Sequence, residues 1–294
     1  MHFKNRKGPY PSAMEAVRTA EEPENTPQCQ SQSYKLAFHD SDFLLWDELR
    51  PTRIQLEILK PELMLQDSQI DSTVVIFGSA RIQDPETAAR NLAEIEQGLQ
   101  QDPDNSALVQ EHKKAQGAVK NSSYYAQARH LGQLISQSTP ENRMLVITGG
   151  GPGIMEAANR GASEVQAKSI GLNIVLPHEQ VPNTYITPEL CFRFHYFATR
   201  KMHFLMRAKG LVAFPGGFGT LDEIFETLTL LQVHKIKPIP VILFGPDFWT
   251  KVINFEAMVE EGTISEADVN LFQYVETAEQ AWDIIANWNG MDAS

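Results

Sequence analysis

Apolar residues along this chain fall into short solid runs separated by longer amphipathic stretches. Thr73-Val74-Val75-Ile76-Phe77, Met144 to Ile147, Ser169 to Leu176, Leu211-Val212-Ala213-Phe214 and Pro240 to Phe244 are runs of the kind shown by strands buried on both faces. A further short strand is predicted near Phe272 to Val275. Between the runs the period changes to three and four residues. Tyr125, Ala128, Leu131 and Ile135 predict a helix over Ser122 to Ser138. Other helices are expected over Ile154 to Ala167, His195 to Lys209, Asp247 to Glu260 and Ala278 to Trp288, and beyond Thr220, where Ile224, Phe225 and Leu228 resume the pattern. Strands alternating with helices, without hairpin signals or an internal repeat, predict an α/β fold: a doubly wound parallel sheet with helices on both faces.

The flanks depart from this rhythm. Met1 to about Ser33 is polar and Pro-rich, so disorder, or order only against a partner, is expected there. Arg53 to Leu65 predicts a helix that Pro61 kinks or ends. Residues 1–70 are therefore taken as an N-terminal extension without a catalytic role, and residues 71–294 as the main domain. Pro85 to about Lys120, charged and Gln-rich, is predicted to be an inserted helical arm.

Composition narrows the partners. A formal net charge of -12 over 294 residues argues against a general nucleic-acid or anionic-membrane surface. Two cysteines, Cys29 and Cys191, fit a reducing compartment and suggest no disulfide framework. The eight histidines show no zinc spacing. The N-terminus lacks an apolar h-region and no stretch is long enough to cross a bilayer, so a cytoplasmic location is expected.

Against that acidic background, the candidate chemistry sits where strands run into glycine turns. The first run ends in Gly78-Ser79-Ala80-Arg81, the second in Thr148-Gly149-Gly150-Gly151-Pro152-Gly153, and the fourth in Pro215-Gly216-Gly217-Phe218-Gly219-Thr220. Strand ends of this kind share one edge of a parallel sheet, so the turns are expected to converge on one crevice. A glycine turn feeding a helix N-terminus is an anion site, with phosphate its commonest guest. The second turn does not match the dinucleotide fingerprint: the third glycine would fall at Ile154 or Glu156, depending on register. Ser79 and Arg81 offer a hydroxyl and a cation, or are an ordinary strand exit. Glu156 either faces the site or favours the helix dipole.

Arg193, Arg200, Lys201, Arg207 and Lys209 crowd the helix before the fourth run. Ala198, Met202, Leu205 and Met206 are expected to form its buried stripe, with Arg200, His203, Phe204 and Arg207 on the opposite face. That face is either a solvated basic surface or part of the site. Two readings also stand at Glu223. Thr220-x-x-Glu223 is a capping box, in which both side chains satisfy helix N–H groups. It also places a carboxylate beside the phosphate turn, where it could stabilise a cationic sugar and activate water.

Arg200-Lys201 followed by Pro215-Gly216-Gly217-x-Gly219-Thr220-x-x-Glu223 resembles the paired signature of the LOG ("lonely guy") family, and Thr148 to Ala157 resembles that family's other glycine turn. The likeness covers about Asp71 to Trp288. It implies a Rossmann-like fold and hydrolysis of a nucleoside 5′-monophosphate, cytokinin nucleotides above all or AMP, to free base and ribose 5-phosphate. It makes Arg200 and Glu223 the catalytic pair. It assigns phosphate and nucleotide binding to Ser79, Gly150, Gly151, Glu156, Lys201, Gly216, Gly217, Gly219 and Thr220. Asn183 and Tyr185, in the loop from Val181 to Leu190, are further family-like cues, and that loop is placed to cover the base. The resemblance implies no metal or organic cofactor, and a homodimer or larger homo-oligomer. Members are often labelled lysine decarboxylases, which would need pyridoxal phosphate and a Schiff-base lysine. The alternative from another class is a non-catalytic nucleotide or cofactor carrier of the same fold.

Overall fold

The computed structural model describes residues 9–20, 25–138, 143–177 and 181–291. The chain divides into two compact units, Met1–Asp67 and Ser68–Ser294. Part of the N-terminal stretch expected to be disordered lies outside the described residues. Of the remainder, Ala13–Ala20 forms helix α1. Helix α2, Ser41–Leu44, is capped by the Asp40 carboxylate, which accepts from the N–H groups of Asp42 and Phe43. Helix α3, Arg50–Asp67, runs on through Pro61 instead of ending there. A proline removes a single ladder bond, and here the turns on both sides persist without it.

The second unit is built on seven parallel strands: β1 Thr73–Phe77, β2 Leu145–Thr148, β3 Ser169–Ile174, β4 Cys191–Phe194, β5 Ala208–Ala213, β6 Val241–Phe244 and β7 Gln273–Val275. Their order is β4-β3-β2-β1-β5-β6-β7. Every pairing is parallel, from Gly171 opposite Cys191 at one edge to Phe244 opposite Val275 at the other. The strand order reverses between β1 and β5, which makes the carboxyl end of that pair the switch point of a Rossmann-like sheet.

Strand β1 is buried along its whole length because both faces are covered. Val74 and Ile76 join a core with Tyr125, Leu131 and Ile135 of α5 (Ser106–Ser136), Ala157 and Ala158 of α6 (Ile154–Glu164), and Ala281 and Ile285 of α11 (Ala278–Trp288). Phe77 meets Phe204 of α7 (Phe197–Leu205) edge to face at 4.8 Å. The remaining helices are α4, Pro85–Gln101, α8, Phe218–Gln232, α9, Pro246–Val252, and α10, Phe255–Glu260.

The differences from the sequence expectations have local causes. The helical arm and the helix after it are α4 and one continuous α5, because Asp102-Pro103-Asp104 breaks the chain only once and the Asn105 side chain then caps α5. Cys191–Phe194, for which no strand is expected, is the edge strand β4. The helix expected over Asp247 to Glu260 is two, interrupted where Asn254 caps α10. Among the described residues, reciprocal capping boxes form at Ser12 and Glu15, ahead of α1, and at Thr277 and Gln280, which open α11, and not at Thr220.

Helices α5 and α6 cross at glycines. A Cβ on Gly161 would stand 1.9 Å from the Arg129 carbonyl oxygen, and one on Gly132 would stand 2.3 Å from that of Ala158. Both obstacles are backbone, so only a shift of a whole helix relieves them. Gly161→Ala is therefore expected to cost about 3 kcal/mol, the upper part of the range for overpacking. Chemical denaturation of the two proteins measures the loss.

Candidate active site

Three adjacent strands, β2, β1 and β5, end on one edge, and their turns bond to each other. The Ser79 N–H donates to the Pro215 carbonyl at 2.9 Å, Phe214 N–H to the Phe77 carbonyl at 2.9 Å, and Ile154 N–H to the Ser79 carbonyl at 3.2 Å. The first turn is thus the bridge between the other two. Above them opens a cleft of about 690 Å³, within the size range of small-molecule sites. Of the residues singled out in the sequence, Ser79, Arg81, Arg200, Gly216, Gly217, Gly219, Thr220 and Glu223 line it.

Arg200 projects from α7 into the floor of this cleft and is 8% exposed. Its Nε donates to the Leu172 carbonyl at 2.7 Å, and its guanidinium lies 5.1 Å from the centre of the Phe204 ring. Gly149 supplies the space for it: a Cβ there would lie 2.6 Å from Arg200 Nη2. Nη1 stands 3.5 Å from Glu223 Oε1. Burial pulls the Arg200 pKa down, and the Glu223 charge pulls it back. The guanidinium stays protonated throughout the accessible pH range.

Glu223 enters from α8. Among the described residues its carboxylate accepts no hydrogen bond, and Arg200, Lys201, Asp222 and Glu226 are the charges around it. Burial pushes its pKa up to about 7, against the attraction of Arg200. The carboxyl group therefore titrates near neutrality, as a general acid or base at neutral pH requires.

The two readings of Glu223 separate here. Helix α8 starts at Phe218 with Gly217 as its N-cap and no side-chain capping bond. Thr220 is thus the third helical residue, buried inside the turn, and Glu223 lies beyond the capping position. The N–H groups of Phe218, Gly219 and Thr220 have no acceptor within the helix. They form the open positive end of α8 at the cleft wall.

The exposed and buried sides of α7 are reversed from the hydrophobic pattern. Thr199, Arg200, His203 and Phe204 are buried, whereas Met202 is 53% and Met206 47% exposed. The polar side faces inward because the cleft and the Leu172 carbonyl lie there. Lys201 also lies outside the cleft. It bonds Asp222 at 2.8 Å and Glu226 at 3.0 Å, a clamp between α7 and α8. Burial opposes its charge, but the two carboxylates outweigh it and raise its pKa. Gly150, Gly151 and Glu156 do not line the cleft either. Gly150 and Gly151 turn their carbonyls to Asn183, and the Glu156 carboxylate accepts from the Tyr125 hydroxyl at 2.8 Å.

Met155, Phe218, Leu221, Phe248 and Val252 form an apolar lip that the sequence reasoning did not single out. Phe218, 92% exposed, lies inside the glycine signature itself. Phe248 and Val252 follow the end of β6, the next strand along, so the strand-end rule applied to β6 would have found them.

Comparison with known proteins bears on this site. The family model described as "Possible lysine decarboxylase" matches residues 155–285. A probable cytokinin riboside 5′-monophosphate phosphoribohydrolase of Oryza sativa is 30% identical over 150 residues, 50% of this chain and 58% of that protein. A cytokinin riboside 5′-monophosphate phosphoribohydrolase of Arabidopsis thaliana is 30% identical over 166 residues, 55% of this chain and 74% of the relative. A pyrimidine/purine nucleotide 5′-monophosphate nucleosidase of Escherichia coli is 30% identical over 141 residues, 43% of this chain and 29% of its own. Among solved structures, the molybdenum cofactor carrier protein of Chlamydomonas reinhardtii aligns over 74% of this chain and 99% of its own, at 16% identity and a TM-score of 0.42.

The raised pKa of Glu223 has a signature in stability. Between its ordinary value of 4.5 and about 7, the folded chain holds a proton that the unfolded chain has released. Stability therefore falls as pH rises through that window. Glu223→Gln does not titrate. The stability of the wild-type protein relative to this variant is expected to drop by up to about 3 kcal/mol over the window. Denaturant titrations of both proteins across pH 4.5 to 8 check this.

Proposed function

The chain belongs to the LOG family, and from that membership we propose that it hydrolyses the N-glycosidic bond of a nucleoside 5′-monophosphate, giving free base and ribose 5-phosphate. The observation that carries the proposal is the buried Arg200–Glu223 pair at the floor of a cleft whose wall is the open N-terminus of α8. The names of the curated relatives support hydrolysis at the level of the family.

In this reading the 5′-phosphate rests on the N–H groups at the start of α8, with Gly216, Gly217, Gly219 and the Thr220 hydroxyl around it. Ser79 lines the wall beside it. The anomeric carbon then lies towards Glu223. As the carbon–nitrogen bond breaks, its electron pair leaves with the base and the ribose becomes an oxocarbenium-like cation. The Glu223 carboxylate stabilises that cation and takes a proton from the water that adds to it. The departing base gains a proton in exchange, so the sum is substrate plus water to base plus ribose 5-phosphate. Arg200 favours the charged form of Glu223 against its burial and fixes the orientation of the carboxylate. The apolar lip suits the flat faces of an uncharged base.

The proposal extends to a homo-oligomer in the cytoplasm. The exposed Met202 and Met206 stripe on α7 supports a second copy as its cover. No helix among the described residues is long and apolar enough to cross a membrane.

Glu223→Gln removes the charge and keeps the shape. Its kcat for AMP is expected to fall by about 10²-fold or more, with AMP still bound. Steady-state base release and calorimetry measure the two effects. A folded variant with near-normal kcat would refute the role of Glu223. Adenosine is expected to be a far poorer substrate than AMP, because the remote phosphate supplies binding energy used at the reacting carbon. Equal kcat/KM for the two would remove the phosphate assignment to α8. A wild-type protein that binds AMP and releases no base would be a carrier.

A further inference from the structure

Behind the second glycine turn lies a polar network with no part in the chemistry above. Thr148, Asn159 and Ser169 are fully buried, and Asn183 nearly so. The Asn159 Oδ1 accepts from the Thr148 hydroxyl at 2.7 Å and from Asn183 Nδ2 at 3.1 Å, and its Nδ2 donates to Ser169 Oγ at 3.0 Å. Both lone pairs of the carboxamide oxygen are used. Burying four such side chains is costly unless every partner is in place, so the network accepts one arrangement and resists others.

The bonds leaving the network end on the glycine turn. Asn183 donates from its backbone N–H to the Gly150 carbonyl at 2.9 Å and from Nδ2 to the Gly151 carbonyl at 3.0 Å. The Gly150 N–H donates back to Thr148 Oγ1 at 3.0 Å. The turn is therefore held on both sides, and Gly149, its first residue, forms the wall against Arg200 Nη2. The other wall of the guanidinium is the Leu172 carbonyl on β3, the strand that opens with Ser169. Of the surfaces that fix Arg200, the Gly149 wall and the Leu172 carbonyl thus trace back to the one carboxamide of Asn159, and the Phe204 ring is independent of it.

We propose that Asn183 and Asn159 are positioning residues for the Arg200 guanidinium, acting through the glycine turn and β3, and that the loop carrying Asn183 is a fixed support behind that turn. The phosphate turn on β5 and α8 receives no bond from this network, so the two halves of the site separate experimentally. The kinetic part of the proposal rests on the function proposed above; the structural part does not.

The test uses the full chain with Asn183→Ala, Asn159→Leu and Asn159→Asp. A carboxylate at position 159 still accepts from Thr148 and Asn183, and the Ser169 hydroxyl can turn to it from the Tyr185 carbonyl, to which it donates at a long 3.4 Å, so this variant keeps bonds that leucine destroys. The first readout is the Arg200 Nε–H signal in arginine-labelled NMR, which is independent of turnover. Its protection from solvent exchange is expected to be lost in Asn183→Ala and Asn159→Leu and kept in Asn159→Asp. The second is kcat for AMP beside calorimetric binding of ribose 5-phosphate. Asn183→Ala and Asn159→Leu are expected to lower kcat by about 10-fold or more, the scale of a displaced catalytic group. Binding of ribose 5-phosphate should stay within about threefold, because the α8 anion site is untouched. Asn159→Asp is expected to retain kcat within about threefold.

An unchanged Arg200 Nε–H in folded Asn183→Ala would overturn the proposal. So would losses of kcat and ribose 5-phosphate binding in parallel, in step with a lowered melting temperature. If Asn159→Leu does not fold, Asn183→Ala decides alone. If the wild-type protein releases no base, the function proposed above fails, and the NMR readout still decides the positioning.

Discussion

The constraint on which this structure depends is the burial of two opposite charges at a distance too long for a hydrogen bond. Arg200 and Glu223 sit 3.5 Å apart beneath the cleft, and the carboxylate has no other direct partner among the described residues. A buried pair of this kind is a poor source of stability, since desolvation consumes most of the attraction. The molecule holds it by other means. Arg200 is bonded through Nε to β3 and packed on Phe204, and the helices that carry the pair are joined outside it by Lys201, Asp222 and Glu226. The outer clamp is half in solvent and is itself worth little energy. Its contribution is to fix α7 against α8, one residue away from Arg200 and Glu223 alike. The unused hydrogen-bonding capacity of Glu223 is what a substrate or a water molecule would meet.

Most of the sheet was legible because solid apolar runs have few other fates in a chain of this rhythm. Thr73–Phe77 and Ala278–Trp288 follow the expected bounds residue for residue. The misread elements are those where side chains answer to something absent from local periodicity. The inward side of α7 departs from hydrophobicity, which ranks Met202 and Met206 above the buried Arg200 and His203. The Leu172 carbonyl reverses that ranking at Arg200 by offering the guanidinium a partner that the methionines cannot use. Edge strand β4 is only Cys191–Phe194, too short to show a period of two. Its pairing with β3 is a tertiary fact.

The same distinction runs through the site. Glycine turns at strand ends were readable because their function is backbone geometry, and the sequence records it directly. Gly150 and Gly151 belong to such a turn, yet they turn their carbonyls to Asn183 and not their N–H groups to the cleft. Spacing does not distinguish the two orientations. Whether Glu223 caps α8 turns on where that helix begins, and its start at Phe218 places Glu223 beyond the capping position. The apolar lip went unread because Phe218 lies between glycines, where an aromatic ring has no helical or strand partner to betray its direction.

The interlocked turns also have a temporal meaning. Strand β1 pairs in the sheet with β5, so Thr73 waits for Ala208, and the Ser79 N–H waits for the Pro215 carbonyl. A chain emerging from the ribosome can pair β1 with β2 and β2 with β3 while its first turn still lacks the neighbour that closes the crevice. Non-local pairings of this kind form late, because the intervening chain must be ordered first. Arg200 also precedes in the chain the carboxylate that faces it across the finished site. The closed crevice is therefore a late property of this polypeptide, acquired only when α8 folds onto the finished edge.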